Sequence, residues 1–277
     1  MIDLEDNFED VIGKTLRGTG LTDGVLSFLT GVETDAIEKL KDGAFDEAAL
    51  RALAPALGLD GDSLVERAHG SWRPESVELV GLRQFNTLFD DDPEDPMTVN
   101  CYLIWDPQTK EAALFDTGAN ADGPLAAIAE LGLELKALFL THTHIDHIID
   151  REKVTSTHPN AKVYVNGMEA VNDATRFSAG DSFSIGTLRV STRLTWGHSP
   201  AGTTYVIHGL DRPVAIVGDA IFAQSMGGGM ISYHDALATN RAEIFTLEDQ
   251  TVICPGHGPM TSVGEEKAHN PFFPEFK

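Results

Sequence analysis

Seven consecutive residues, Thr141-His142-Thr143-His144-Ile145-Asp146-His147, hold three of the chain's ten histidines and an aspartate, a density that core packing does not require. Neutral imidazole together with carboxylate suits zinc, iron or manganese, whereas calcium and magnesium prefer oxygen alone. The apolar run Lys136-Ala137-Leu138-Phe139-Leu140 before it reads as a buried strand, so the cluster is carried at a strand tip. His142 and His144 share parity on an extended segment and can face one point. Asp146 and His147 follow as the chain turns toward a helix.

Three further positions place a metal-ligand type just past a short apolar strand and beside glycine. They are His198 in Thr195-Trp196-Gly197-His198, Asp219 in Ile216-Val217-Gly218-Asp219, and His257 in Cys254-Pro255-Gly256-His257. Glycine permits turns that a side chain would block, which lets a loop aim an imidazole inward. With the heptapeptide they make five histidines and two aspartates, enough for two metals. The glycine-rich Met226–Met230 segment with Tyr233 and His234 is the candidate substrate wall, and Cys254 reads as packing.

The elements that must carry these residues fall into two regions. Residues 1–72 read as short amphipathic helices, at Asp6–Arg17, Thr22–Leu29, Glu33–Lys41, Asp46–Leu57 and Asp62–Ala68. Trp72-Arg73-Pro74 makes the boundary. Residues 73–277 alternate strands with a few helices and predict a layered α/β architecture. Strands are expected at Val77–Phe85, Thr98–Trp105, Ala112–Phe115, Lys162–Val165, Ser182–Leu194, Thr203–Ile207, Pro213–Val217 and Thr251–Ile253. Helices are expected near Pro124–Leu131, Asn166–Asp173 and Tyr233–Phe245.

A formal charge of -23 makes nucleic-acid backbones and anionic membranes unfavourable partners. No run approaches the roughly 18 apolar residues of a membrane span. The two cysteines are far apart and the N-terminus lacks a basic, apolar leader, so a cytoplasmic protein acting on a small molecule is expected.

The ordered set of ligands, with Asp116-Thr117-Gly118 as a further landmark, resembles the metallo-β-lactamase superfamily over roughly residues 76–277. The resemblance implies a four-layer αβ/βα sandwich with the metals at one edge. It implies that His142, His144 and His198 hold a first metal, that Asp146, His147 and His257 hold a second, and that Asp219 bridges them. Asp116 would steady the site from behind. Two zinc ions are the expected cofactor, with iron or manganese as alternatives, and Asp146 and Asp219 would orient the attacking hydroxide.

Gly218-Asp219-Ala220-Ile221-Phe222 and the Cys254–Phe272 run are similar to the short bacterial form of the glyoxalase II group, which implies hydrolysis of a thioester or ester. Phe222 stands where quorum-quenching lactonases carry Tyr. Gly228 stands where glutathione-binding enzymes carry Lys or Arg, and Ile148-Ile149-Asp150 where most relatives have two glycines, a bulk and charge expected to reshape the pocket floor. A persulfide dioxygenase with one iron on His142, His198 and Asp219 is the rival reading.

Gly20–Leu59 resembles the helix-turn-helix domain of phage repressors in its spacing. With fifteen acidic and six basic residues over 1–72, phosphate contact is disfavoured. This all-α domain is expected to be structural or to support a homodimer rather than to serve a ligand-sensing DNA-binding regulator.

Overall fold

The computed structural model describes residues 2–90, 92 and 96–277. The chain opens with five helices, α1 (Phe8–Thr19), α2 (Asp23–Thr30), α3 (Thr34–Lys41), α4 (Glu47–Leu57) and α5 (Gly61–His69). Phe8, Val11, Ile12 and Thr15 form the buried stripe of α1, the spacing of one helix face. Thr22, Asp46 and Asp60 accept from the amides of Val25, Ala49 and Ser63, so the polar residues that punctuate the sequence are the N-caps that start α2, α4 and α5.

Two six-stranded sheets follow, each in sequential strand order. The first holds β1 (Leu82–Asp90), β2 (Met97–Trp105), β3 (Glu111–Phe115), β4 (Glu134–Phe139), β5 (Lys162–Asn166) and β6 (Thr175–Phe177). It is antiparallel from β1 to β3 and parallel from β3 to β6. The second holds β7 (Ser182–Ile185), β8 (Leu188–Leu194), β9 (Thr203–His208), β10 (Val214–Gly218), β11 (Val252–Pro255) and β12 (Thr261–Ser262), antiparallel except where β10 lies beside β11.

Strand parity divides the core. Tyr102, Ile104, Phe115, Tyr205, Val214 and Ile216 meet between the sheets. Their alternates Cys101, Leu103 and Leu114 face α6 (Asp122–Leu131) and α8 (Arg151–Thr157), which follows the short α7 (Ile145–Ile148). Ala215, Val217 and Ile253 face the other way. There they share one apolar cluster with α1–α5, with α9 (Tyr233–Thr239) and with α10 (Val263–His269). The N-terminal helices thus form much of the outer layer of the second sheet. The Tyr233 ring locks the two parts together against Gly18 of α1, where an added Cβ would lie 2.2 Å from the ring. Trp72 stacks on His269 and the Glu75 amide donates to Glu265, so the connection after α5 runs along α10.

Three elements differ from expectation. Ser182–Leu194 is a hairpin, β7 and β8, because Gly186 at φ 57° reverses the chain between them. No helix forms over 166–173. Asn166 accepts from the Met168 amide through its side chain, Gly167 donates to Phe177, and Asp173 takes φ 56°, local bonds that compete with a helical ladder. The first strand begins at Leu82 rather than Val77.

Candidate metal centre

The loops after β4, β8, β10 and β11 converge at one edge of the sandwich. The His142 and His144 ring nitrogens approach to 3.1 Å (Nε2 to Nδ1), and His198 Nε2 lies 3.0 Å from the same His144 Nδ1. Asp219 Oδ2 is 3.2 Å from His198 Nε2 and 4.0 Å from His142 Nε2. Asp146 Oδ2 is 3.4 Å from both His147 Nε2 and His257 Nε2, while Asp219 reaches those two imidazoles at 3.3 and 3.5 Å. The seven residues therefore form two groups, His142, His144, His198 and Asp219, and Asp146, His147 and His257, with the Asp219 carboxylate in contact with both.

Several features fit a metal. Nitrogens about 2.0–2.1 Å from a common zinc at tetrahedral angles lie about 3.3 Å apart, close to the separations around His144. His147 Nε2 and Asp219 Oδ1 are buried with no hydrogen-bond partner, a costly state unless something else satisfies them. The far side of each ring fixes its tautomer. His147 Nδ1 donates to Asp116 Oδ2 at 2.9 Å, His198 Nδ1 to the Gly228 carbonyl at 2.9 Å and His257 Nδ1 to the Thr98 carbonyl at 2.6 Å. Thr141 Oγ1 donates to Asp116 Oδ2 at 2.7 Å and so accepts from His142 Nδ1 at 3.0 Å. In these four rings Nε2 is the nitrogen that faces the centre, and it offers a lone pair to a metal once it carries no proton.

Backbone geometry makes this density feasible. An added Cβ at Gly256 would sit 2.0 Å from Asp219 Oδ1 and 2.7 Å from the His147 ring, so that position admits no side chain. Gly218, at φ 52°, turns the chain directly before Asp219, and Asp116 itself takes φ 56°.

Electrostatics agree with the donor set. Burial, reinforced by neighbouring His147, drives His142 well below the usual imidazole range and keeps it neutral; burial also lowers His198, against the pull of Asp219. Burial opposes ionisation of Asp219, yet the imidazoles of His257, His147 and His198 hold it well below the carboxylate range. Burial likewise opposes a charged His147, but Asp219 and Asp116 outweigh it and raise that group to about 10. Metal entry would displace the proton held there.

The seven residues expected as ligands are brought together, and Asp116 is bonded to Thr141 and His147 beside them. Tyr233 is a correction. Its ring is buried against α1 and its hydroxyl meets Thr15 Oγ1 at 3.4 Å, because the apolar stripe of α1 needs a partner there; it backs the glycine loop instead of facing substrate. His234 is exposed beside it. Asp150 also departs from expectation: its carboxylate accepts from the Ala121 amide and pairs with Lys153, away from the centre, and only Ile149 of that run is exposed. Cys254 is buried, and burial pushes its thiol well up, which suits packing.

Two residues escaped the sequence reading. Glu169 accepts from Thr143 Oγ1 at 2.7 Å and from the Ala201 amide at 2.9 Å, tying the β4 loop to the loop that carries His198. Glu5 lies 3.6 Å from His257 Nδ1. Burial, partly offset by His257, raises Glu5 to about 7. Neither carries a sequence signal, since their partners are remote in the chain.

The sequence profile of the metallo-β-lactamase superfamily matches residues 95–257, all beyond the five N-terminal helices. Hydroxyacylglutathione hydrolase GloC of Haemophilus influenzae is 28% identical over 198 residues, 62% of this chain and 92% of that protein. The mitochondrial persulfide dioxygenase ETHE1 of Mus musculus is 30% identical over 182 residues, 61% of this chain and 69% of that protein. Among solved structures, ETHE1 from Myxococcus xanthus superposes with a TM-score of 0.60 at 29% identity, covering 70% of this chain and 84% of that one.

Proposed function

This chain belongs to the metallo-β-lactamase superfamily, and we propose that it is a two-metal hydrolase of a small thioester or ester. The observation that carries the reading is the pair of ligand groups joined by one buried carboxylate, Asp219, with two orphaned atoms, His147 Nε2 and Asp219 Oδ1, directed between them. His142, His144 and His198 would hold a first ion, Asp146, His147 and His257 a second, and Asp219 would contact both.

When bound, a pair of zinc ions lowers the pKa of a shared water to near neutrality and polarises the electrophile. The chain's own groups do the rest. Asp146 and Asp219 would reduce the net charge of the pair and orient the attacking water, while Asp116, Thr98 and Gly228 keep the Nε2 atoms of their histidine partners pointed inward. No serine or cysteine nucleophile is required. The likeness to GloC supports a thioester.

A second reading, a dioxygenase with one iron on His142, His198 and Asp219, is supported by the likeness to ETHE1 in sequence and structure. Metal analysis by mass spectrometry, paired with a panel of thioesters, esters, lactones and phosphodiesters, separates the two. Two zinc ions per chain with thioester turnover is the expected result. One iron per chain with oxygen consumption would overturn it.

For the helical region we assign a packing role. The outward face of α3 carries Glu33, Asp35 and Glu38, all exposed, which repels a phosphate backbone, while its inner face is buried in the shared core. The expected gel mobility shift with duplex DNA at low salt is none.

A further inference from the structure

Six of the twelve exposed large apolar side chains among the described residues, Leu88, Ile145, Ile149, Met168, Met230 and Ile231, stand on segments that carry or support the metal ligands. They remain 48–74% exposed, apolar surface left open on a chain of formal charge -23. Ile145 lies between His144 and Asp146, and Ile149 is two residues past His147. Met168 precedes Glu169, whose carboxylate holds Thr143 and Ala201. The Met230 amide donates to the Gly228 carbonyl that also receives His198 Nδ1, and the Ile231 amide donates to Gly197, next to His198. Leu88 continues the row of Gln84 and Asn86, and pairs with Thr98, whose carbonyl accepts from His257. Ile145 and Ile149 on the segment after β4, Met230 and Ile231 on the segment after β10, and Met168 and Leu88 beside them thus border the ligand residues through these bonds.

Cations at the same loops are already engaged. Lys14 pairs with Asp6 and donates to the Met226 carbonyl. Arg176 donates to the carbonyls of Gly167, Glu169 and Val171, and Arg151 to that of Asn172. An anionic substrate arm would meet none of these charges free, whereas an uncharged chain would cover apolar surface. Methionine at two of the six positions lets the rim adapt to chains of different shape.

We propose that this rim is a subsite for the straight apolar acyl chain of an uncharged ester or thioester, and that a highly charged thiol such as glutathione is not the preferred leaving group. The inference rests on the hydrolase reading for its chemistry, but chain binding can be measured without turnover.

Straight-chain hydroxamic acids from two to eight carbons keep one metal-binding head while the tail grows. Calorimetric titration of the zinc-loaded protein should show Kd falling about two- to fourfold per methylene, the larger value being full burial of a CH2. The double variant I149Q/M230Q should flatten that slope. In parallel, turnover of S-acyl N-acetylcysteamines is compared with that of the same acyl groups on glutathione; octanoyl over acetyl and N-acetylcysteamine over glutathione are expected to win. A binding slope without any turnover supports the subsite and sinks the hydrolase reading. A Kd independent of chain length, or turnover that favours glutathione at every chain length, overturns the inference and leaves the hydrolase reading standing.

Discussion

Asp116→Asn isolates the part played by the carboxylate behind the ligands. Asp116 accepts from the Thr141 amide at 2.8 Å, from Thr141 Oγ1 at 2.7 Å and from His147 Nδ1 at 2.9 Å. At φ 56° the backbone suits asparagine as well as aspartate, so the change adds little strain. The amide oxygen can still accept from the Thr141 backbone, but the new NH2 faces the His147 Nδ1 proton. Two donors cannot share that contact, so His147 moves to the other tautomer and carries its proton on Nε2, the atom aimed at Asp146 and Asp219. The loss of one hydrogen bond to a charged group is worth about 1.5–3 kcal/mol. That agrees with the roughly 10- to 100-fold fall in metal affinity seen when an outer-shell partner is removed. On the proposed two-metal reading, binding of an ion at Asp146, His147 and His257 should therefore weaken by about 10- to 100-fold, while binding at His142, His144 and His198 is largely retained. Competition against a chromophoric chelator reads both affinities, with circular dichroism as the check on folding. Two ions bound with unchanged affinities in the variant would refute the tautomer argument.

Asp219→Ala removes the carboxylate common to both groups and should reduce turnover by more than the ~100-fold of an outer-shell loss; full activity with the metals in place would remove Asp219 from the mechanism. Because Glu5 is raised to about 7, Glu5→Gln should weaken an ion at Asp146, His147 and His257 by about fivefold only above that pH, the effect of roughly 1 kcal/mol from a partly exposed charge beside His257. The same chelator assay reads it, and an unchanged affinity would make the contact incidental. Gly18→Ala gains about 1 kcal/mol of helix propensity but drives a methyl into the Tyr233 ring, costing about 1–3 kcal/mol, so the melting temperature should fall; a rise would show that the ring moves aside freely. Burial, partly opposed by donors from Asn270, Thr261 and Gln224, raises Glu266 to about 8 from an unfolded value near 4.5. A raised carboxyl contributes stability that is fully present below about 4.5 and is lost as pH rises toward 8. Denaturant unfolding at pH 6 and 9 should show the wild type losing on the order of 2–3 kcal/mol more than Glu266→Gln, and parallel losses would place the titration elsewhere.

What the sequence revealed and what it hid divide along physical lines. The ligand residues were legible because they cluster just past strand ends, beside glycine or within one heptapeptide, and metal chemistry admits few residue types there. Asp116 was reached only through the family resemblance. The strands of the sandwich were legible where burial on both faces gives continuous apolar runs, as at β2, β4, β9 and β10. The split of β7 from β8 turned on one glycine, and the missing helix at 166–173 on side-chain bonds that periodicity does not register. The helical region was legible as helices but not as a layer. Its stripes at Phe8, Val11, Ile12 and Thr15 declare that something must cover them, while the choice of Tyr233 and the outer face of β10 as that cover depends on tertiary contact alone. The same docking brings Asp6 to Ser225 and Lys14 to Met226, next to Gly227, where an added Cβ would lie 2.0 Å from the Asp219 carbonyl and 3.0 Å from His198 Nδ1. A region that reads as a separate module therefore braces one wall of the metal centre. Its five helices and the loops that carry the clustered histidines should unfold in a single transition, because the core that stabilises the one is the core that positions the other.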